Sequence, residues 1–155
     1  MPSHRSATLR LAARLDNLKV IREYVEDIAR EAGFPDVKIY DLILAIDEAA
    51  TNILMHGYHV THTLSEQEAE PGMLQVDAAF EAPALRVTLR DHAAPFDPTA
   101  APDEGELPPL TERMPGGLGI YLMRKTMDEI HYRRTPDGWN ELTLIMMRPN
   151  ESQEG

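Results

Sequence analysis

The sequence predicts an α+β fold, a two-layer sandwich in which helices cover one face of a mostly antiparallel sheet. Two early segments carry apolar residues at helical spacing, and five segments carry strand-like patterns. Most of the strands follow one another in pairs joined by short turns, which is how antiparallel neighbours are connected. With 155 residues and no internal repeat, the chain suits one domain, with a core over about residues 7–147 and a tail over 148–155.

The first predicted elements are one strand and one helix. Residues 7–13 partly alternate between polar and apolar side chains, which favours an opening strand. From Asp16 to Gly33 the periodicity predicts a helix, with Asp16 as the candidate N-cap and Gly33 as the candidate C-cap. Its apolar stripe consists of Leu18, Ile21, Val25 and Ile28.

A second helix is predicted between Asp36 and Gly57. Asp36 is its candidate N-cap, and Gly57 is a suitable residue for its end. Residues 59–72 are polar and acidic and therefore predict a loop. The broad apolar stripe of the second helix consists of Ile39, Leu42, Ile43, Ile46, Ala50 and Ile53.

The second half of the chain predicts a strand pair and then a long loop. Residues 73–80 and 84–91 have strand character, and the sequence "EAP" between them marks a tight turn. Residues 92–115 hold six of the 12 prolines and show almost no periodicity. A segment of this length without periodic structure inside a compact domain is usually either functional or disordered.

The last predicted elements are a short helix and a hairpin. The sequence "GGLGIYLMRKTM" predicts a helix that opens on glycines. Residues 129–135 and 139–147 have strand character, and the sequence "PDG" between them is a hairpin signal.

Composition and charge exclude several classes of function. The chain has no cysteine, which excludes disulfides, thiolate metal sites and cysteine nucleophiles. The net charge of -11 argues against direct nucleic-acid binding, because phosphate backbones require lysine and arginine. No apolar run reaches the length of a membrane span, and the N-terminus has no secretory signal pattern. We therefore expect a cytoplasmic protein without a membrane partner.

The second helix carries an acid and an amide one turn apart, Glu48 and Asn52. Side chains four residues apart share one face of a helix, whereas Asp47 points about 100° away. An amide oxygen suits a hard cation such as Mg²⁺, and a carboxylate nearby could accept a proton from a hydroxyl. The alternative is a solvated polar stripe on an amphipathic helix.

Two further groups are candidates for ligand binding. Glycines 116, 117 and 119 directly precede or open a helix, and free N–H groups at such a start attract anions. A flexible hinge with a helix cap would give the same pattern. Asp91 ends a strand and Asp97 follows six residues later. A strand-end carboxylate can accept a hydrogen bond from an exocyclic amine such as that of adenine, although an aspartate in a turn is the simpler interpretation.

Taken in order along the chain, these motifs resemble one family. The sequences "AIDEAATNILMHGY", "APFDP" and "GGLGIYLMRKTMDEIHY", with the closing strand "WNELTL", resemble the anti-sigma factor serine-protein kinases of bacterial partner-switching pathways. That group lies within the histidine kinase-like ATPase superfamily, which includes gyrase, Hsp90 and MutL. The resemblance runs from about residue 7 to residue 147 and implies the Bergerat fold.

The resemblance implies a role for each candidate residue. It implies ATP and Mg²⁺ as cofactors, Asn52 as the Mg²⁺ ligand, Glu48 as the base that takes the serine proton, and Asp91 as the partner of the adenine amine. Residues 92–115 would form the lid over the bound nucleotide. The other candidate nucleotide-binding residues are Asp97, Gly116, Gly117, Leu118 and Gly119.

The same resemblance implies the partners. The acceptor would be a serine on a small anti-sigma-factor antagonist, a second partner would be a sigma factor, and family members commonly form homodimers. One departure is Ala93, where the family usually has glycine, and its methyl group is expected to weaken or adjust nucleotide binding. Ala93 therefore favours the alternative function, a partner-binding regulatory module of the same fold with weak or no kinase activity.

Overall fold

The part of the chain that the structure describes forms a five-stranded antiparallel sheet and three α-helices. The computed structural model describes residues 4–58, 72–95 and 117–150 of the 155-residue chain. Along the sheet the strand order is β1-β2-β3-β5-β4, and every neighbouring pair is antiparallel. The strands are β1 (His4–Ala12), β2 (Met73–Glu81), β3 (Ala84–Asp91), β4 (Glu129–Arg134) and β5 (Asn140–Met147). The predicted fold class is thereby confirmed.

The helices lie on one face of this sheet. They are α1 (Leu18–Glu31), α2 (Asp36–Asn52) and α3 (Gly117–Thr126), and α2 packs between the other two. Successive side chains of a strand point to opposite faces, so every second residue meets the helices. On β2 the buried apolar series is Leu74, Val76, Ala78 and Phe80.

On the opposite face of the sheet, polar side chains of neighbouring strands form hydrogen bonds and ion pairs. Thr8 donates to Asp77 at 2.7 Å. Arg90 of β3 pairs with Glu141 of β5 at 2.8 Å. The two hydroxyls of Thr88 and Thr143 lie 3.1 Å apart. One face of the sheet is therefore apolar and contacts helices, and the other is polar, as expected for a two-layer sandwich.

The start of α1 differs from the prediction that Asp16 caps it. A 3-10 turn, Leu15–Asn17, precedes the helix, and Asp16 lies inside that turn without capping α1. At the other end, Gly33 has φ of 86° and its N–H donates to the carbonyl of Arg30 at 3.1 Å. A left-handed residue at this place ends a helix, so the role predicted for Gly33 is confirmed.

The start of α2 also differs from the prediction. Pro35 is the residue that precedes the first turn, and Asp36 is the first helical residue rather than the cap. The carboxylate of Asp36 pairs with Arg30 at 2.9 Å instead of capping the helix. At its C-terminal end α2 continues into one π-helical turn, Ile53–Gly57, which stops at the glycine that the sequence predicted.

Tyr58 ties the end of this π turn to two strand ends. Its hydroxyl donates to the carbonyl of Met73 at 2.8 Å and accepts the N–H of His92 at 2.8 Å. The ring of Tyr58 also lies against Gly72, where a Cβ atom would come within 2.3 Å of the ring. Gly72 is therefore required for the close approach of the aromatic ring to the backbone.

The remaining connections are short. Between β2 and β3 lie only Ala82 and Pro83. Between β4 and β5, the N–H of Thr135 donates to the carbonyl of Trp139 at 2.8 Å, and Gly138 has φ of 92°. Within the described ranges, no helix is both long enough and apolar enough to cross a membrane.

Candidate functional site

A small cavity lies where α2 and α3 cover the ends of β3 and β5. Asp91, the last residue of β3, is the register partner of Asn140, the first residue of β5, and both point to the helix side. The cavity has a volume of about 20 Å³, which is room for roughly one water molecule. Its walls are Ala49, Asn52, Ile53, Asp91, Met123, Tyr132, Asn140 and Leu142.

Asp91 is a buried carboxyl group, with 3% of the residue exposed. Its Oδ1 atom accepts the N–H of Ala93 at 2.8 Å and a hydrogen of Asn140 Nδ2 at 2.8 Å. Burial raises the pKa of Asp91, while these two hydrogen bonds and the nearby charge of Arg134 lower it. Within the described residues, no hydrogen bond reaches Oδ2, so this oxygen can accept a donor from a ligand.

Asn52 presents the second polar group to the cavity. It is the last residue of α2 and is 4% exposed. Its Nδ2 atom finds no hydrogen-bond partner in the described part of the chain. Buried amides are nearly always hydrogen-bonded, so an unpartnered one in a cavity wall is suited to bind a ligand or a water molecule. The π turn that follows Asn52 is a feature frequently found beside functional sites.

Glu48 lies one turn before Asn52 on α2 and is partly exposed. It does not line the cavity, and it is more exposed to solvent than Asn52 is. The neighbouring carboxylate, Asp47, pairs with Arg22 of α1 at 2.7 Å. Asp47 therefore contributes to the contact between α2 and α1.

The glycine-rich motif is described in part. Gly117, Leu118 and Gly119 form the first turn of α3 as the structure describes it. Met123, one turn further along α3, lines the cavity. The candidate residues Asp97 and Gly116, and with them residues 96–115 of the predicted lid, lie outside the described residues.

Ala93 contacts the end of the π turn. Its side chain is 6% exposed, and a Cβ atom placed on Gly57 would lie 2.9 Å from the Cβ atom of Ala93. The methyl group therefore occupies the space over Gly57. Ala93 is not among the residues that line the cavity beside Asp91.

Sequence reasoning missed the residues that surround Asp91. Asn140 donates to the carbonyl of Ala93 at 3.0 Å as well as to Asp91, and it accepts the hydroxyl of Tyr132 at 2.5 Å. Arg134 donates to the carbonyl of Ala93 at 2.8 Å and to Asn140 Oδ1 at 3.1 Å. One signal was present in the sequence, because Asn140 precedes the alternating apolar residues Leu142, Leu144 and Met146 and therefore lies on the same face of β5 as they do.

The comparisons with known proteins agree on one family. The model of the histidine kinase-like ATPase domain matches residues 11–146. The serine/threonine-protein kinase BtrW of Bordetella bronchiseptica is 29% identical over 150 residues, which cover 97% of this chain and 99% of that protein. The serine-protein kinase RsbW of Listeria innocua is 30% identical over 136 residues, which cover 82% of this chain and 78% of that protein.

A solved structure is similar in fold. It contains the RsbU and RsbW domains of a Mycobacterium tuberculosis protein and superposes with a TM-score of 0.61 at 20% identity. The match covers 94% of this chain and 33% of that longer chain. The architecture described above is therefore shared with an RsbW domain.

Proposed function

Because the chain belongs to the family of histidine kinase-like ATPase domains, we propose that it is an ATP-dependent protein-serine kinase. Its acceptor is a serine of a small anti-sigma-factor antagonist, and it sequesters a sigma factor when it is not engaged with that antagonist. The observation that carries this proposal is the pair of buried polar groups in one cavity wall, Asp91 and Asn52. The named kinases at 29% and 30% identity support it.

The polar groups of the cavity wall match hydrogen-bonding groups of a nucleotide. Oδ2 of Asp91 can accept a hydrogen bond from the exocyclic amine of adenine, because the two hydrogen bonds that this carboxyl receives from the described residues both go to Oδ1. Asn52 supplies a second polar group to the cavity, which Met123 of α3 also lines. Backbone N–H groups at the start of α3, in Gly117 and Gly119, suit the phosphates of ATP.

Asn52 also suits a magnesium ion that accompanies ATP. Rotation about χ2 exchanges the oxygen and nitrogen of an amide, so Asn52 can present Oδ1 to a hard cation. When bound, Mg²⁺ supplies charge neutralisation on the phosphate oxygens. The fit rests on the unpartnered amide of Asn52.

Glu48 is the proposed general base. In the transfer, the oxygen of the acceptor serine forms a bond to the γ-phosphorus, the bond to the β-phosphate oxygen breaks, and ADP leaves. The serine proton moves to the carboxylate of Glu48. The partial exposure of Glu48 supports this role, because a hydroxyl carried by another protein must approach from solvent.

An exposed apolar stripe on α2 supports a protein acceptor. Val37, Tyr40 and Leu44 are 67%, 63% and 42% exposed and lie at spacings of three and four residues, on one face of the helix. Glu48 follows Leu44 by four residues, so the stripe leads to the proposed base. Exposed apolar groups in a contiguous stripe are typical of surfaces that contact other proteins.

The proposal is tested by a transfer assay. The purified protein is incubated with γ-labelled ATP, Mg²⁺ and a candidate antagonist encoded nearby, with the acceptor serine replaced by alanine as a control. We expect label on the antagonist only when the serine and Mg²⁺ are both present. Nucleotide-independent capture of the antagonist without any label transfer would show a partner-binding module in place of a kinase. The proposed cytoplasmic location and homodimer are tested by cell fractionation and light scattering.

A further inference from the structure

The four shortest hydrogen bonds of the Asn140 side chain determine the orientation of its amide. Its Oδ1 atom accepts the hydroxyl of Tyr132 at 2.5 Å and Nη1 of Arg134 at 3.1 Å. Its Nδ2 atom donates to Asp91 Oδ1 at 2.8 Å and to the carbonyl of Ala93 at 3.0 Å. A flipped amide would place NH₂ against the guanidinium of Arg134, which cannot accept, and oxygen against two acceptors, so only one orientation satisfies all four partners.

This fixed amide in turn fixes the carboxyl group of Asp91. Oδ1 receives two donors, one from Asn140 and one from the N–H of Ala93. The plane of the carboxyl is thereby set, and Oδ2 is the oxygen that no hydrogen bond from the described residues reaches. Two donors on Oδ1 favour the ionised form, and an ionised carboxylate only accepts hydrogen bonds.

We propose that Asn140 is a positioning residue that makes this site select a 6-amino purine over a 6-oxo purine. The inference rests on the proposed function, since it concerns the base of the nucleotide. A 6-amino group donates to Oδ2, whereas a 6-oxo group would place two acceptors face to face. Without the Asn140 amide, the carboxyl of Asp91 can rotate, and it can take up a proton and donate to a 6-oxo group.

Burial supports the assignment. Asp91 and Asn140 are 3% and 5% exposed, and burial raises the pKa of the Asp91 carboxyl while the Asn140 hydrogen bond is the largest influence that lowers it. The Asn140 amide therefore disfavours protonation of the Asp91 carboxyl. Such protonation would remove the preference for a 6-amino purine over a 6-oxo purine. Tyr132 and Arg134 influence Asp91 indirectly, because both donate hydrogen bonds to Oδ1 of Asn140 and so hold its amide in place.

The test compares two nucleotides that differ at one position of the base. Competition by ATP and by ITP against a fluorescent ATP analogue is measured for the full chain and for Asn140→Leu, which keeps the approximate shape of the side chain. We expect the wild-type protein to bind ATP more tightly than ITP by at least about tenfold, and Asn140→Leu to lose most of that ratio. Tyr132→Phe, which removes one bond to the amide, should lose a smaller part.

Thr143→Val is the matched control. Thr143 lies on the same strand but on the opposite face, where its hydroxyl contacts Thr88 at 3.1 Å. This variant should keep the wild-type ratio. If Asn140→Leu does not fold, the ratio of Tyr132→Phe decides, and an unchanged ratio there overturns the inference.

The outcomes separate this inference from the proposed function. An Asn140→Leu protein that binds both nucleotides more weakly at the wild-type ratio would show that Asn140 is only structural, with the proposed function intact. Equal wild-type affinity for ATP and ITP would also overturn the inference alone. A wild-type protein that binds neither nucleotide would overturn both.

Discussion

Gly57 and Ala93 share one methyl-sized space between the π turn and the end of β3. A Cβ atom on Gly57 would lie 2.9 Å from the Cβ atom of Ala93, which is closer than two carbon atoms can pack. The pair therefore has room for one methyl group, and Ala93 provides it.

Gly57→Ala should accordingly destabilise the protein by about 1–3 kcal/mol through overpacking. The double variant Gly57→Ala with Ala93→Gly should recover most of that loss, because the methyl group only changes sides. Urea unfolding of the two single variants and the double variant measures the coupling. Ala94→Gly, an exposed neighbour, serves as control and should not rescue Gly57→Ala. Additive effects in the double variant would show that the two residues do not share space.

Removing the hydroxyl group of Tyr24 and that of Tyr132 should change the free energy of unfolding in opposite directions. The hydroxyl of Tyr24 is buried without a hydrogen-bond partner in the described ranges, and burial raises the pKa of Tyr24 to about 12. Tyr24→Phe should therefore raise the free energy of unfolding by about 1 kcal/mol. Tyr132→Phe should lower it by about 1 kcal/mol, since that hydroxyl donates to Asn140. Equal effects of the two substitutions in thermal unfolding would contradict this assignment.

The buried Asp91 should make stability depend on pH. Its folded-state pKa lies above the ordinary value of 3.8, because burial outweighs the hydrogen bonds and the charges of Arg134 and His92. The stability that this group contributes is fully present below about pH 3.8, and it is lost as the pH rises through the folded pKa.

Asp91→Asn stays neutral and should not show that loss. The unfolding free energy of Asp91→Asn, relative to wild type, should therefore grow as the pH rises from about 4 to about 7. The exposed Asp27→Asn is the control for general effects of charge removal. A difference between Asp91→Asn and wild type that stays constant over this range would show that Asp91 has the same proton affinity in the folded and unfolded chain.

Loss of the proposed base should slow phosphoryl transfer without weakening ATP binding. Glu48→Gln is nearly isosteric and should lower the single-turnover rate by about 10²- to 10⁴-fold. Asp47→Asn is the matched control, because this adjacent carboxylate pairs with Arg22 at 2.7 Å instead of facing the acceptor. It should affect stability more than transfer. A Glu48→Gln protein that phosphorylates its acceptor at the wild-type rate would exclude the base assignment.

The apolar stripe on α2 should matter for the protein acceptor alone. Tyr40→Ser should lower kcat/KM for the antagonist by about tenfold, with unchanged ATP affinity, because an exposed aromatic residue is a typical anchor of a protein interface. Val20→Ala on α1 removes another exposed apolar group and is the control. If both substitutions leave kcat/KM unchanged, the antagonist docks elsewhere.

The fold could be predicted from sequence because its signals are local. The helical stripes, the strand alternation and the turn residues around Gly33 and Gly138 all lie within short segments. The capping predictions failed where a local alternative competed, since Asp16 joins a 3-10 turn and Asp36 pairs with Arg30. The surroundings of Asp91 could not be predicted, because they depend on the register of β3 against β5, which joins residues 49 positions apart.

The contact between Tyr58 and Gly72 has a consequence for engineering. Tyr58 and Gly72 are the described residues on either side of residues 59–71, and these two residues touch. Residues 59–71 therefore lie between two residues that contact each other, so an insertion there does not require Tyr58 and Gly72 to separate. For a flexible loop whose ends are held together, doubling the length costs only about 0.6 kcal/mol in closure entropy. This position therefore suits an inserted tag or reporter that leaves the proposed kinase site unaltered.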